Sequence, residues 1–149
     1  MLNGYTSFRA DHKHKNRGLI VYMKDLYTPI ALRVNEAEED TVGSEFIHLR
    51  LEGSPSVNMI SVYLEPGTSG DCAILEDKVQ RCVNNGEECL IMGDMNAAIN
   101  ENTKSRTAAR KHILDWEETG KIKILNQRNK PTRVPRQTGY QANCIDLGL

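Results

Sequence analysis

No stretch of this sequence approaches the ~20 consecutive apolar residues of a membrane-crossing helix. Its opening residues hold no apolar core of signal-peptide length. A soluble intracellular protein, nuclear or cytoplasmic, is expected. Cysteine pairing is also lacking: Cys72, Cys82, Cys89 and Cys144 sit on apolar segments with no close paired spacing. That argues against a zinc ribbon and against a secreted disulfide frame, leaving reduced, mostly buried thiols. There is no excess of one charge, with 19 basic against 20 acidic residues, so overall charge points to neither nucleic acid nor a membrane surface. Internal repeats and low-complexity stretches are lacking as well.

What is present suits one compact unit. A chain of 149 residues with 39% hydrophobic content can bury one sizeable core, so a single domain over 1–149 is expected. Charge is distributed unevenly along it. Residues 102–136 carry ten Lys or Arg against three acids, a local balance of +7. That segment can face phosphates or simply be a solvated helix and loop.

The chain is organised around Glu88-Cys89-Leu90-Ile91-Met92-Gly93-Asp94-Met95-Asn96-Ala97. Four consecutive apolar residues between Gly86 and Gly93 read as a short central strand buried on both faces. Two positions apart, Asp94 and Asn96 would project to the same side of an extended segment at the carboxyl end of that strand. Open α/β sheets bind ligands in this crevice. A carboxylate beside an amide suits phosphodiester chemistry, the acid taking a proton from an attacking water and the amide bonding oxygens that gain charge. Gly, Asp and Asn also build ordinary turns after strands, and both readings stand at this point.

In chain order, 3–17 reads as a polar loop in which His12 and His14 could share a metal, a hydrated basic loop being the plainer reading. Gly18 opens a β-branched strand over 19–24, with 29–34 as its partner. Residues 46–51 and 57–64 form a hairpin. The alternation in the first arm places Ile47, Leu49 and Leu51 on one face, and Tyr63 ends the second arm as a core aromatic or a phosphate-orienting group. A helix follows with Cys72, Leu75, Val79, Cys82 and Val83 inward and Ser69 or Asp71 as cap. Residues 107–119 form a second helix with Ala109, Ile113 and Trp116 inward, stopped at Gly120. Short strands are expected at 122–125, 132–134 and 144–149. Hairpins mixed with crossover helices indicate an α/β protein with a mixed sheet, or two packed sheets, and helices outside.

The order of blocks resembles the endonuclease/exonuclease/phosphatase superfamily. Those blocks are Gly18-Leu19-Ile20-Val21-Tyr22-Met23, Ile60-Ser61-Val62-Tyr63-Leu64-Glu65-Pro66, Gly93-Asp94-Met95-Asn96-Ala97, the stretch 120–126 leading to Pro131-Thr132-Arg133, and Ile145-Asp146-Leu147. Within the superfamily they look most like the endonuclease domain of non-LTR retrotransposons. The resemblance implies two packed mixed β-sheets flanked by helices, a four-layer α/β sandwich. It also implies DNA as partner, Mg2+ (or Mn2+) as cofactor, and phosphodiester hydrolysis. Carried over by position, Asp94 resembles the acid that activates water, Asn96 the amide that holds the scissile phosphate, and Tyr63 the tyrosine that approaches it. Asp146 matches the aspartate that orients the family's catalytic histidine, and Thr132 a threonine near the DNA. Arg106, Arg110 and Arg133 join Thr132 as nucleic-acid-binding candidates from the basic segment.

This sequence also departs from the pattern. The family's metal-binding glutamate belongs to a strand that would precede Met1, and its closing Ser-Asp-His segment lies beyond Leu149. The domain is therefore expected to be incomplete at both termini and impaired as a catalyst. His12, His14, His48 and His112 do not stand where the pattern needs its histidine, and the metal ligands are unassigned; magnesium-dependent nicking by this chain would point to another carboxylate such as Glu45 or Glu65. Two other readings accompany the endonuclease one: a noncatalytic remnant binding nucleic acid or a protein, and a small-molecule or lipid phosphatase of the same superfamily.

Overall fold

A computed structural model of the protein describes residues 2–11, 18–34, 44–66, 70–99, 107–127, 130–132 and 146–148. Strand β1 (Tyr5–Asp11) pairs antiparallel with β2 (Gly18–Lys24), Tyr5 opposite Lys24. A turn of 3-10 helix at Thr28–Ile30 leads to β3 (Ala31–Arg33). Strands β4 (Glu45–Leu51) and β5 (Val57–Tyr63) form the expected hairpin. Helix α1 (Gly70–Asn84) crosses over to β6 (Glu88–Asp94), which runs parallel to β5. Helix α2 (Ala108–Glu118) follows, and β7 (Asp146–Gly148) closes a five-stranded mixed sheet in the order β3-β4-β5-β6-β7.

The larger sheet is covered on both faces, and the strand sequences account for it. On one face Ile60, Val62 and Ile91 pack against Leu75 and Val79 of α1 and Ile113 and Trp116 of α2. On the other, Ile47 and Leu49 meet Met23, with Phe8 and Val21 of the β1–β2 hairpin around them. Two packed sheets with helices outside are thus observed. β4 is buried from both sides because its alternate residues feed both layers. β6 is an inner strand as expected, although only Ile91 in it is fully buried.

Helix α2 follows the sequence closely. The Thr107 hydroxyl accepts the Arg110 N–H at 3.2 Å, capping the first turn. Ala109, Ile113 and Trp116 face inward, and Gly120, at φ +73°, ends the helix in a left-handed conformation that glycine adopts without strain.

Several expectations fail. Residues 5–11 are a strand rather than loop, because pairing with β2 supplies the backbone bonds that the polar YTSFRAD sequence does not advertise. The partner of β2 is therefore β1. The segment expected at 29–34 shortens to β3 and pairs with β4. Val83 points outward at 54% exposure, since the inward stripe of α1 is completed by Lys78 and Cys82. The Lys78 ammonium lies 5.4 Å from the Phe46 ring centre. Residues 122–125 form no strand. They run beside β7 through the Leu125 N–H to Gly148 carbonyl bond, 2.8 Å. Thr132 sits in a bend, while 133 and 134 lie outside the described residues. In the last expected strand, 146–148 is observed, and 144, 145 and 149 lie outside the described residues.

A polar chain crosses the end of the sheet away from Asp94. His48 Nε2 donates to Asn58 Oδ1 at 2.8 Å, Asn58 Nδ2 donates to Glu87 Oε2 at 2.8 Å, and Arg50 Nε donates to Glu87 Oε1 at 2.7 Å. This direction is forced because Asn58 already spends its amine on Glu87. Burial pulls the His48 imidazole below its usual range despite the Asn58 bond. Burial also raises the neighbouring Cys89 thiol to about 12, and Cys72 to about 11. Both are protonated, structural thiols at neutral pH.

Candidate active site

The register of the larger sheet assembles the site. Glu45 on β4 stands opposite Tyr63 on β5, Tyr63 is level with Asp94 on β6, and Asp94 is opposite Asp146 on β7. Matched positions share one face of a sheet, and adjacent strands are about 4.8 Å apart. Four residues far apart in sequence are therefore brought into one row spanning roughly 15 Å. The row lies at the carboxyl ends of the parallel strands β5 and β6, the crevice anticipated from sequence. Of Asp146 only the backbone position is described.

Gly93 lets β5 and β6 close up beside this row. At φ +147° its α-carbon approaches β5 so nearly that an added Cβ would lie 1.9 Å from the Val62 carbonyl oxygen. Just beyond, the Leu64 N–H donates to the Asp94 carbonyl at 2.9 Å, continuing the pairing past the strand ends.

Asn96 behaves differently from the expected alternation. Its φ is +47°, a left-handed conformation that asparagine tolerates better than most residues, so the chain has left the extended form before reaching it. Its backbone N–H donates to Asp94 Oδ1 at 2.9 Å, and its side-chain Nδ2 donates to the Leu64 carbonyl at 2.8 Å. The side-chain amide that sequence placed beside the acid thus ties the β6 exit to the β5 exit, while the backbone N–H of the same residue holds the acid in place. Tyr63 is half-buried between the carboxylates Glu45 and Asp94 in the row.

A second layer, unread in the sequence beyond Asp71 as a cap, supports the row from the helix side. Ser44, immediately before β4, accepts the Glu65 N–H at 2.8 Å and donates to the Asp71 carboxylate in the first turn of α1. A carboxylate there is favoured by the helix dipole. The only signal for it was an acid at a helix start.

The nucleic-acid-binding candidates divide. Arg110 is half-buried, and its Nε donates to the Ala98 carbonyl at 2.7 Å. Thr132 is exposed. Arg106 and Arg133 lie outside the described residues, as do His12 and His14. His48 belongs to the buried polar chain at the opposite end of the sheet, and His112 on α2 meets Glu76 of α1 at 3.2 Å.

Among the described residues, no three His, Cys, Asp or Glu side chains stand where they could hold a metal ion. Glu45 and Asp94 stand on different strands with Tyr63 between them in the register, and Glu65 lies beyond the end of β5. Among the described residues these donors do not by themselves make a site for the expected Mg2+ or Mn2+. Among the described residues no helix is long and apolar enough to cross a membrane.

Among curated proteins none matches the sequence. A solved structure similar in fold is the endonuclease domain of TRAS1, a telomere-specific non-LTR retrotransposon. The TM-score is 0.65 at 15% identity, and the match covers 99% of this chain and 67% of that one. At the level of sequence, the profile of the endonuclease-reverse transcriptase family matches residues 57–149, from the start of β5 through Asp94 to β7. The chain belongs to the endonuclease-reverse transcriptase family.

Proposed function

We propose that this chain supplies the catalytic row of a DNA phosphodiesterase, with Asp94 as general base toward an attacking water. The observation that carries the reading is the register that sets Tyr63, Asp94 and Asp146 side by side at the carboxyl ends of β5 and β6. The Asn96 N–H donates to Asp94 and fixes one of its carboxylate oxygens. In this reading the Tyr63 phenol, next in the row, donates to a non-bridging phosphate oxygen, and Asp146 takes the part of the family's orienting aspartate. The divalent cation implied by the family, Mg2+ or Mn2+, is part of the proposal. The same holds for DNA as substrate and for a nuclear or cytoplasmic location.

The test is nicking of supercoiled plasmid in Mg2+ or Mn2+, by the 149-residue chain and by the chain joined to the flanking segments of a retrotransposon endonuclease domain. Removing a positioned general base costs about 10²–10⁴ in rate, so Asp94→Ala should abolish measurable nicking by whichever form is active. The joined form is expected to be the more active. Nicking that survives Asp94→Ala would sink the reading. Salt-sensitive DNA binding without nicking by either form would favour a noncatalytic binding module.

A further inference from the structure

The segment after the acid is unusual for a loop. Residues 95–99 have no regular secondary structure, yet Met95, Ala97, Ala98 and Ile99 are buried. A buried irregular stretch must find partners for its backbone groups away from water. On one side it is tied to β5 by Asn96 Nδ2 on the Leu64 carbonyl. On the other, Arg110 Nε donates to the Ala98 carbonyl at 2.7 Å. Arg110 is itself fixed, because its own N–H is held by the Thr107 hydroxyl and its neighbours Ala109 and Ile113 are packed in the core.

We propose that Arg110 is a positioning residue for Asp94, clamping loop 95–99 to α2 so that the Asn96 N–H stays aimed at the acid. The chain of contacts is short: the Arg110 guanidinium to Ala98, Ala98 through Ala97 to Asn96, and the Asn96 N–H to Asp94 Oδ1. A guanidinium suits this task because its Nε–H points in a direction fixed by the planar group, whereas a lysine ammonium on a flexible stem fixes none. This assigns Arg110 to the architecture of the acid and not to a DNA phosphate. Its functional meaning rests on the reading of Asp94 as the site acid.

Amide hydrogen exchange and NMR on the free chain test the clamp without substrate or metal. In Arg110→Lys and Arg110→Gln, exchange of the Asn96 N–H should rise at least tenfold and the Asp94 carboxyl carbon resonance should move, with β4 and β5 amides unchanged. The salt dependence of DNA binding should be unaltered in Arg110→Gln. Thr107→Ala, which loosens the same helix start, should raise Asn96 exchange too, and it decides the question if the arginine variants do not fold. Unchanged Asn96 exchange would overturn the proposal. If a salt slope lower by about one unit accompanied it, Arg110 would be a phosphate contact instead. Because no nicking is read, failure here is separable from failure of the phosphodiesterase reading, which Asp94→Ala decides by itself.

Discussion

Replacing Gly93 with alanine puts a single methyl group where the structure has no room for one. The new Cβ would lie 1.9 Å from the Val62 carbonyl oxygen, 2.9 Å from its carbon and 3.0 Å from its nitrogen. All three are backbone atoms of a paired strand, so no side chain can rotate away. β5 and β6 would have to part by roughly 1.5 Å before the contact became an ordinary one. Overpacking of this kind costs about 1–3 kcal/mol, and holding an L-residue at φ +147°, a backbone conformation that side chains rarely adopt, adds about 1–3 kcal/mol. A total of about 3 kcal/mol or more corresponds to roughly 6–12 °C in Tm for a domain of this size. Gly86→Ala is the internal control. Its φ is +71° with nothing within 4 Å of the added Cβ, so it should lose only about 1 kcal/mol. Urea midpoints and thermal melts followed by circular dichroism measure both variants. Equal losses at the two positions would show that the close approach of β5 and β6 is not what Gly93 provides.

Three further outcomes are expected. Burial sets the folded His48 pKa below its unfolded value near 6.5, so the unfolded chain takes up the proton first as pH falls. The stability is complete above pH 6.5 and declines below it toward the folded pKa; urea midpoints at pH 7.5 and 5.5 should differ in the native chain and converge in His48→Gln. Thr107→Ala should lower stability by about 1 kcal/mol through loss of the cap on α2, which a urea titration reads directly, and no change would mean the hydroxyl is replaced by water. If the basic segment faces DNA, replacing Arg106 and Arg133 with alanine should flatten the dependence of log affinity on log salt by about 0.9 for each phosphate contact removed. An unchanged slope in the double variant would exclude those contacts.

How far the sequence could be read differs from element to element for identifiable reasons. Helix α2 announced itself because every signal was local: Thr107 at the start, Ala109, Ile113 and Trp116 at helical spacing, and Gly120 at the stop. The β4–β5 hairpin and the end of β6 were legible for the same reason. β1 was not, since Thr6, Ser7 and Arg9 dilute its alternation and only its partner, across residues 12–17, makes it a strand. Val83 was placed inward by apolar character alone, but the buried stripe at the end of α1 runs through Lys78 and Cys82. At the site, the positions of Tyr63, Asp94 and Asp146 could be named from the family's blocks. The contacts of Asn96 could not be, because period-two reasoning holds only while the backbone stays extended and Asn96 has turned to positive φ. The links from Arg110 to Ala98, and through His48, Asn58, Glu87 and Arg50, join residues from separate elements and leave no local pattern.

The row of Glu45, Tyr63, Asp94 and Asp146 also sets a schedule. β4 and β5 are joined by a short turn and can pair early, because closing a small loop loses little entropy. β6 must wait for α1 to form and cross over. β7 meets β6 only after a connection running from residue 95 to residue 145 has been closed, and such long-range pairings are the slow ones. A chain stalled before that step would already have Tyr63 beside Asp94 while nothing stood on the far side of the acid. Folding intermediates of this protein would thus contain half a site, and only the last strand to dock makes it whole.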